Sequence, residues 1–182
     1  MPSKKNEVIS LMMIRDHLLD YPRFDVPPGY SIRYYVKGDY NAWLRIHSEA
    51  EPYHKVDRQL FFEQFGDDEK IIRDRQFFVC DHTGKEVGTA TAWFNDDLVG
   101  RNYGRIHWVA VSPDHQGKGL AKALTTRLCD RFVELAHTQA LLTTENFRVD
   151  AIHIYMKFGF IPSSRNEREK VFWEYFKNQI NK

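Results

Sequence analysis

A chain of 182 residues, 42% hydrophobic and 28% charged, is long enough for one domain with a sizeable core, and its 14% aromatic content supplies ample core material. The formal net charge of +1 gives no electrostatic reason to expect a nucleic-acid or membrane partner. Cys80 and Cys129 stand far apart without metal-ligand spacing, so they read as reduced, buried thiols and no metal is expected. No apolar run approaches transmembrane length, and the opening MPSKKNEVIS lacks the basic, apolar, small-residue order of a signal peptide, so the expected location is the cytoplasm.

In chain order, Val8 to Leu19 reads as a short helix, and Pro22, Pro27 and Pro28 make Tyr21 to Gly29 an extended lead-in. Tyr30 to Val36 (YSIRYYV) reads as a strand. Asp39 is the expected N-cap of a helix reaching about Ala50, which Pro52 stops, and a second helix spans about Asp57 to Phe65. Gln76 to Asp81 and Glu86 to Phe94 flank the turn His82-Thr83-Gly84-Lys85 as a hairpin, and Asn95 to Gly104 reads as a loop. Arg105 to Val111 is a strand. Strict alternation along it would put Arg105, His107 and Val109 on one face and Ile106, Trp108 and Ala110 on the other.

Leu120, Leu124, Leu128, Phe132 and Leu135 then recur at helical spacing. Gln139 to Thr143 is a strand, Asp150 to Lys157 a short helix stopped by Gly159, and Phe160-Ile161 a brief strand. The tail from Asn166 places Val171, Phe172, Tyr175, Phe176 and Ile180 on one helical face. Hairpin strands followed by strand–helix alternation specify an α/β fold with a mixed, mostly antiparallel sheet flanked by helices, ending in a C-terminal helix.

The stretch HWVAVSPDHQGKGLAKAL (His107 to Leu124) carries the chemistry. A strand passes into a helix through Gln116-Gly117-Lys118-Gly119. The first N–H groups of a helix lack internal acceptors, and the helix dipole leaves positive charge there. Gly117 and Gly119 lack Cβ atoms, so a ligand can approach the main chain, and Lys118 and Lys122 add charge. These residue types specify an anion site suited to phosphate. A P-loop is excluded because Ser112 and Gly119 hold the places of its first glycine and its Ser/Thr. A dinucleotide fingerprint is excluded because Lys122 holds the place of its third glycine.

The segment Gln116-Gly117-Lys118-Gly119-Leu120-Ala121 does match Gln/Arg-x-x-Gly-x-Gly/Ala, and it resembles the acyl-CoA motif of the GNAT N-acetyltransferase superfamily. Asp81 to Ala90, of the form D-x-x-G-K-x-x-G-T-A, looks like that family's second and third strands. Ala151-Ile152-x-x-Tyr155-x-x-x-Gly159-Phe160 is similar to its A-I-x-L-Y-x-x-x-G-F signature. The likeness covers roughly residues 30–162, which divides the chain into an extension (1–29) and a GNAT-like domain (30–182). It implies a splayed central strand pair and acetyl-CoA as co-substrate, with the loop amides on the CoA pyrophosphate and the backbone edge of Val109, Ala110 and Val111 along the pantetheine arm. Where many members carry Asn, this chain has Arg148, which either reaches a CoA phosphate or faces solvent. The family commonly ends with a seventh strand; here the tail reads as a helix.

Forming an amide from a thioester poses two proton problems. Deprotonating an alkylammonium at pH 7 costs about 4–5 kcal/mol, and the departing thiolate needs a proton or stabilisation. The resemblance makes Tyr155 the acid candidate, against the reading of an aromatic side chain that only packs. His107 is the base candidate, since an imidazole near ~6.5 suits the task at neutral pH. Its alternatives are a buried, hydrogen-bonded histidine, a water chain, or Asp96, Asp97 or Glu145. A backbone N–H, that of Val109, would meet the oxyanion.

The acceptor pocket should draw on His47 to Asp57, where Glu49, Glu51, Tyr53 and His54 could receive a cationic amine or simply line a solvated loop. Trp93 and Phe94 either wall that pocket or belong to the core. The expected activity is acetyl transfer from acetyl-CoA to a primary amine of a small molecule or protein by direct attack in a ternary complex. Other acyl donors or acceptors, and a non-catalytic CoA-binding module, stay open. Phe172, Trp173 and Phe176 on the last helix either form a homodimer interface or cover the sheet.

Overall fold

The computed structural model describes residues 8–50, 54–94 and 103–180. In chain order its elements are β1 (Ser10–Arg15), β2 (Ser31–Tyr34), α1 (Tyr40–Ala50), α2 (Arg58–Phe65), α3 (Glu69–Arg75), β3 (Gln76–Cys80), β4 (Glu86–Phe94) and β5 (Tyr103–Val111). A 3-10 turn (Pro113–His115) leads to α4 (Leu120–Glu134), β6 (Gln139–Glu145), α5 (Val149–Lys157), β7 (Ile161–Pro162) and α6 (Glu167–Ile180). The strands form one seven-stranded sheet in the order β2-β3-β4-β5-β6-β1-β7. Its neighbours are antiparallel except β5 and β6, which run parallel. This is the mixed, helix-flanked sheet that the element order called for.

Two clusters of buried side chains cover the two faces. Trp43, Ile46, Phe61, Phe65 and Ile72 of α1, α2 and α3 pack on one face with Phe78 and Trp93. Leu120, Leu124, Leu128 and Phe132 of α4 pack on the other with Ile106 and Leu142, the 3.6-residue stripe of the sequence delivered to the core as expected. Gly104 lets α4 lie flat on β5, because a Cβ there would collide with the Phe132 ring.

Several expectations are corrected. Val8 to Leu19 is no helix: Ser10–Arg15 is a strand held between β6 and β7, paired from Ser10↔Glu145 to Arg15↔Ala140. Leu11 and Met13 are fully buried there. A short apolar run carries no period that separates strand from helix, and the open slot beside β6 decides the matter. The seventh strand of the sheet is therefore this early segment, while the tail is the helix α6, as expected. Trp173 and Phe176 of α6 are buried against the α4 side of the sheet, whereas Val171 and Tyr175 are exposed.

The helix α3 escaped the sequence reading. Asp68 caps it by accepting from the Lys70 and Ile71 N–H groups, a recognisable N-terminal signal. Asp57 caps α2 through Leu60 N–H at 3.0 Å. The Asp39 carboxylate turns away from α1 and takes Arg33 and the Val36 N–H. Most of the Asn95 to Gly104 loop, Asp96 and Asp97 included, lies outside the described residues, but Tyr103 and Gly104 already belong to β5.

After β1 the chain runs along α4 toward its N-terminus. Tyr21 Oη donates to Asp130 at 2.6 Å, Phe24 N–H donates to Thr126 Oγ1 at 3.1 Å, and Tyr30 Oη lies 3.0 Å from His115 Nδ1. The 1–29 extension, where described, thus supplies one strand and a strap that ends beside the glycine loop.

Candidate active site

The site begins with a departure from regular strand geometry. Between the pairs Thr91↔His107 and Thr89↔Ala110, both Trp108 and Val109 stand against Ala90, and Trp108 has φ 50. This bulge overturns the strict alternation expected for the strand. His107, Trp108 and Ala110 face the α1–α2 side, while Ile106, Val109 and Val111 face the α4 side. The bulge also bends β5. Its parallel pairing with β6 runs from Tyr103↔Gln139 to Ile106↔Leu142 and then ends, although both strands continue. The strands part there, leaving the β6-side edge of Val109 to Val111 outside the ladder.

A cavity of about 380 Å³ fills the gap on the loop side. Val109, Ala110, Val111, Gln116, Gly117, Gly119, Leu120, Ala121, Arg148 and Tyr155 all line it, so ten of the residues singled out from the sequence converge here. Lys122 and Thr125 of α4 and His47 and Ala50 of α1 complete much of the wall. The glycines act as their residue type requires. Gly117 and Gly119 have φ 73 and 87 and open space where a Cβ would project, apart from Pro27 at 3.8 Å from that of Gly119. Gly119 is the N-cap of α4 and offers no side-chain acceptor, so the first N–H groups of the helix open toward the cavity without a cap. This cradle fits a phosphate group.

The polar side chains of the loop divide by role. Gln116 Nε2 donates to the Val111 carbonyl at 2.9 Å and ties the loop to the end of β5. Lys118 does not line the cavity: its ammonium donates to the Asp114 carbonyl at 2.9 Å in an exposed position beside the loop. Lys122, one turn into α4, is the lysine in the wall.

A second cavity of about 320 Å³ lies across the parted strands and shares Val109, Arg148, Ala151 and Tyr155 with the first. Arg105, His107, Trp108, Gln64, His54 and Glu145 line it. Tyr155 therefore stands where the two spaces meet. Burial raises its phenol to about 12, partly opposed by the Arg148 guanidinium, so it is a hydrogen-bond donor across the working pH range. Arg148, at the N-cap of α5, pairs with Glu145 at 2.8 Å and lines both cavities. His54 bonds the other Glu145 oxygen at 2.9 Å.

His107 lies in the second cavity, apart from the loop. Burial, with the charge of Arg105 and the neighbouring His47, pushes its pKa well below the usual imidazole value, which corrects the expectation of a titration near neutrality. His47 is likewise lowered, to about 3, by burial and then by Arg148. Both rings are neutral in the folded protein and gain protons on unfolding below pH ~6.5. Their contribution is complete above that pH and falls steadily as the pH drops toward about 3 for His47. Each should remove about 1.4 kcal/mol of stability per pH unit in that window. Urea unfolding at pH 7.5, 6 and 5 checks this: His107→Asn should flatten the loss between pH 6 and 5, and an unchanged slope would contradict it.

The remaining candidates separate cleanly. Glu49 accepts from Ser112 Oγ at 2.6 Å and lines neither cavity. Glu51 and Tyr53 lie outside the described residues. Trp93 is core, packed edge-on against Phe65, and Phe94 sits under the Arg75 guanidinium. His47 opens the stretch expected to line the pocket and does line the first cavity, whereas Thr125 was missed, because nothing in the local sequence says which face of α4 borders the gap. Cys80 and Cys129 are free and buried. No helix among the described residues is long and apolar enough to cross a membrane.

Residues 39–160 match the family model for the acetyltransferase (GNAT) family. A mycothiol acetyltransferase from Saccharomonospora viridis is 30% identical over 156 residues, covering 78% of this chain and 49% of that protein. One from Streptomyces coelicolor is 29% identical, covering 79% and 46%. The chain thus spans about half the length of these relatives. A GCN5-related N-acetyltransferase from Sphaerobacter thermophilus superposes with a TM-score of 0.68 at 22% identity, over 85% of this chain and 48% of that one. The ribosomal-protein-S18-alanine N-acetyltransferase from Escherichia coli gives 0.62 at 21%, over 74% and 79%. The family match takes in the glycine loop, the parted strands and Tyr155, and the chain belongs to the acetyltransferase (GNAT) family.

Proposed function

We propose that the protein is an acetyl-CoA-dependent N-acetyltransferase that moves the acetyl group to a primary amine by direct attack in a ternary complex. The observation that carries this reading is the pair of cavities meeting at Tyr155, one with an uncapped helix mouth and one lined by histidines and a carboxylate. Donor and acceptor can then enter from opposite sides of the parted strands. Acetyl-CoA supplies the activated thioester; the chain supplies position, hydrogen bonds and proton handling.

In this reading the amides of residues 117–121 hold the pyrophosphate at the positive end of α4, with Lys122 adding charge. Gln116 holds the loop against Val111. The free edge of Val109 to Val111 receives the pantetheine arm, and the Val109 N–H meets negative charge developing on the acyl oxygen. Tyr155 donates a hydrogen bond to the departing sulfur. Its pKa of about 12 lies above that of a thiol near ~8.5, so it stabilises the thiolate rather than surrendering its proton outright. His107 accepts from the amine in the second cavity. Because burial makes it a weak base, the His54–Glu145 pair at the same cavity offers the onward path for the proton.

The acceptor is a small-molecule or protein amine. Relatives of both kinds exist by name, among the mycothiol acetyltransferases and the S18-alanine enzyme. The test is release of free CoA thiol from acetyl-CoA, followed for glucosamine, an alanine-ended peptide and n-butylamine, with mass detection of the acetylated amine. Thiol release above hydrolysis, matched by product, is expected for at least one amine class. CoA binding without such release would make the protein a CoA-binding module instead.

A further inference from the structure

The bulge in β5 has a second effect. His107 and Trp108, consecutive in the chain, face the same α1–α2 side, because the extra residue suspends the alternation between them. Trp108 is wedged there edge-on against Trp43 at 5.1 Å and against His47 at 5.0 Å, so its indole is held in one orientation. Its Nε1–H donates to Gln64 Oε1 at 2.9 Å. Gln64 stands in the last turn of α2, next to Phe65, whose buried ring packs edge-on against Trp43 and His107 and fixes that turn. Gln64, His107 and Trp108 all line the second cavity.

A side-chain amide can ordinarily turn to offer either its oxygen or its nitrogen. Here Trp108 removes the choice. An indole nitrogen only donates, so the Gln64 oxygen must face it and the amide nitrogen, with its two hydrogens, is directed away from it. That nitrogen has no hydrogen-bond partner among the described residues and is not enclosed by protein. The wall at this point therefore offers donors and no acceptor. The reacting amine cannot be their partner: as an ammonium it has no lone pair, and as a free amine it must aim its lone pair at the thioester. The matching oxygen belongs elsewhere in the acceptor molecule. We propose that Gln64 is a binding residue for the acetyl acceptor, its Nε2 donating to a hydroxyl or carbonyl oxygen carried close to the reacting amine, and that Trp108 is the residue that positions the amide. The acceptor is then an oxygen-bearing amine, an amino alcohol or an α-amino carbonyl compound, in preference to a plain alkylamine. The inference rests on the N-acetyltransferase reading of the two cavities.

The test compares kcat/KM for ethanolamine, glycine methyl ester and n-propylamine, read by release of free CoA thiol from acetyl-CoA. The proteins are the parent, Gln64→Leu and Trp108→Phe. The amines differ in basicity, so the readout is the change, from parent to variant, in the kcat/KM of each oxygen-bearing amine divided by that of n-propylamine. A purely structural loss lowers all three rates together and leaves these ratios where they were. Gln64→Leu should lower the ratio about fivefold for at least one oxygen-bearing amine, as loss of one hydrogen bond implies. A fall for ethanolamine alone identifies a hydroxyl partner, and a fall for the ester alone a carbonyl. Trp108→Phe keeps an aromatic ring but frees the amide to turn, so the same ratio should fall by a smaller factor. Turnover by Gln64→Leu with both ratios unchanged would overturn the assignment. Should the variants fail to fold, the parent decides: with CoA bound, the Gln64 side-chain amide resonance should move on adding ethanolamine or glycine methyl ester and not on adding n-propylamine, and a resonance that ignores all three refutes the contact. If the parent releases no thiol with any amine, the N-acetyltransferase reading itself falls, a result distinct from turnover that ignores Gln64.

Discussion

Replacing Gly119 with Glu should abolish the thermal stabilisation that CoA confers. At a hundredfold excess over Kd, a ligand that binds only the folded protein adds about 2.7 kcal/mol, which for a domain of this size raises the melting temperature by roughly 5–10 °C. In Gly119→Glu that shift should fall below about 1 °C. Two effects act together. The residue has φ 87, a conformation that an L side chain rarely adopts. The new carboxylate would also stand at the mouth of α4, where it takes the uncapped N–H groups itself and repels a diphosphate. Gly84→Glu separates the two. Gly84 has φ 85 and open space around it in the β3–β4 turn, far from either cavity, so it carries the same backbone strain. That variant should melt lower than the parent yet keep its full shift with CoA. A full shift in Gly119→Glu would place the cofactor elsewhere.

Tyr155→Phe should lower kcat about a hundredfold while the Kd for CoA changes less than about threefold. The ring is buried and packs edge-on against Phe160 at 6.1 Å, and phenylalanine preserves that packing. Only the hydroxyl where the cavities meet is removed. Because the phenol titrates at about 12, the parent's activity should show no loss from tyrosine ionisation up to about pH 10. The assay for release of free CoA thiol reads both proteins. Equal turnover numbers would strip Tyr155 of its role and leave it a packing residue.

Much of this site was legible because its signals are local. Two glycines between a strand and a helix announce a backbone that something must approach, and Gly117 and Gly119 do adopt positive φ around an open cradle. The leucine stripe of α4, the His82–Lys85 turn and the Gly159 stop rest on periodicities and turn chemistry contained within a few residues. The fold of the Lys118 side chain back onto the Asp114 carbonyl was not legible, because a long exposed side chain has several carbonyls within reach and sequence does not choose among them. The α3 helix was missed although its Asp68 cap was in plain view, because a charged seven-residue segment offers little apolar period to follow.

By itself the sequence determined the order of the elements from β3 onward, the core stripe of α4, the open glycine turn ahead of that helix and the place of Tyr155 on the helix after β6. Those features depend on residue type and short spacing, which a chain carries wherever it folds. Only the tertiary structure decided that Ser10–Arg15 is a strand, because its six residues become extended by pairing with β6, from Ser10↔Glu145 to Arg15↔Ala140, far along the chain. It decided which face each β5 side chain takes, because a single left-handed residue at Trp108 shifts the alternation of all that follow. It also decided that His107 and His47 stay neutral, because desolvation is a property of the surrounding protein and not of the imidazole.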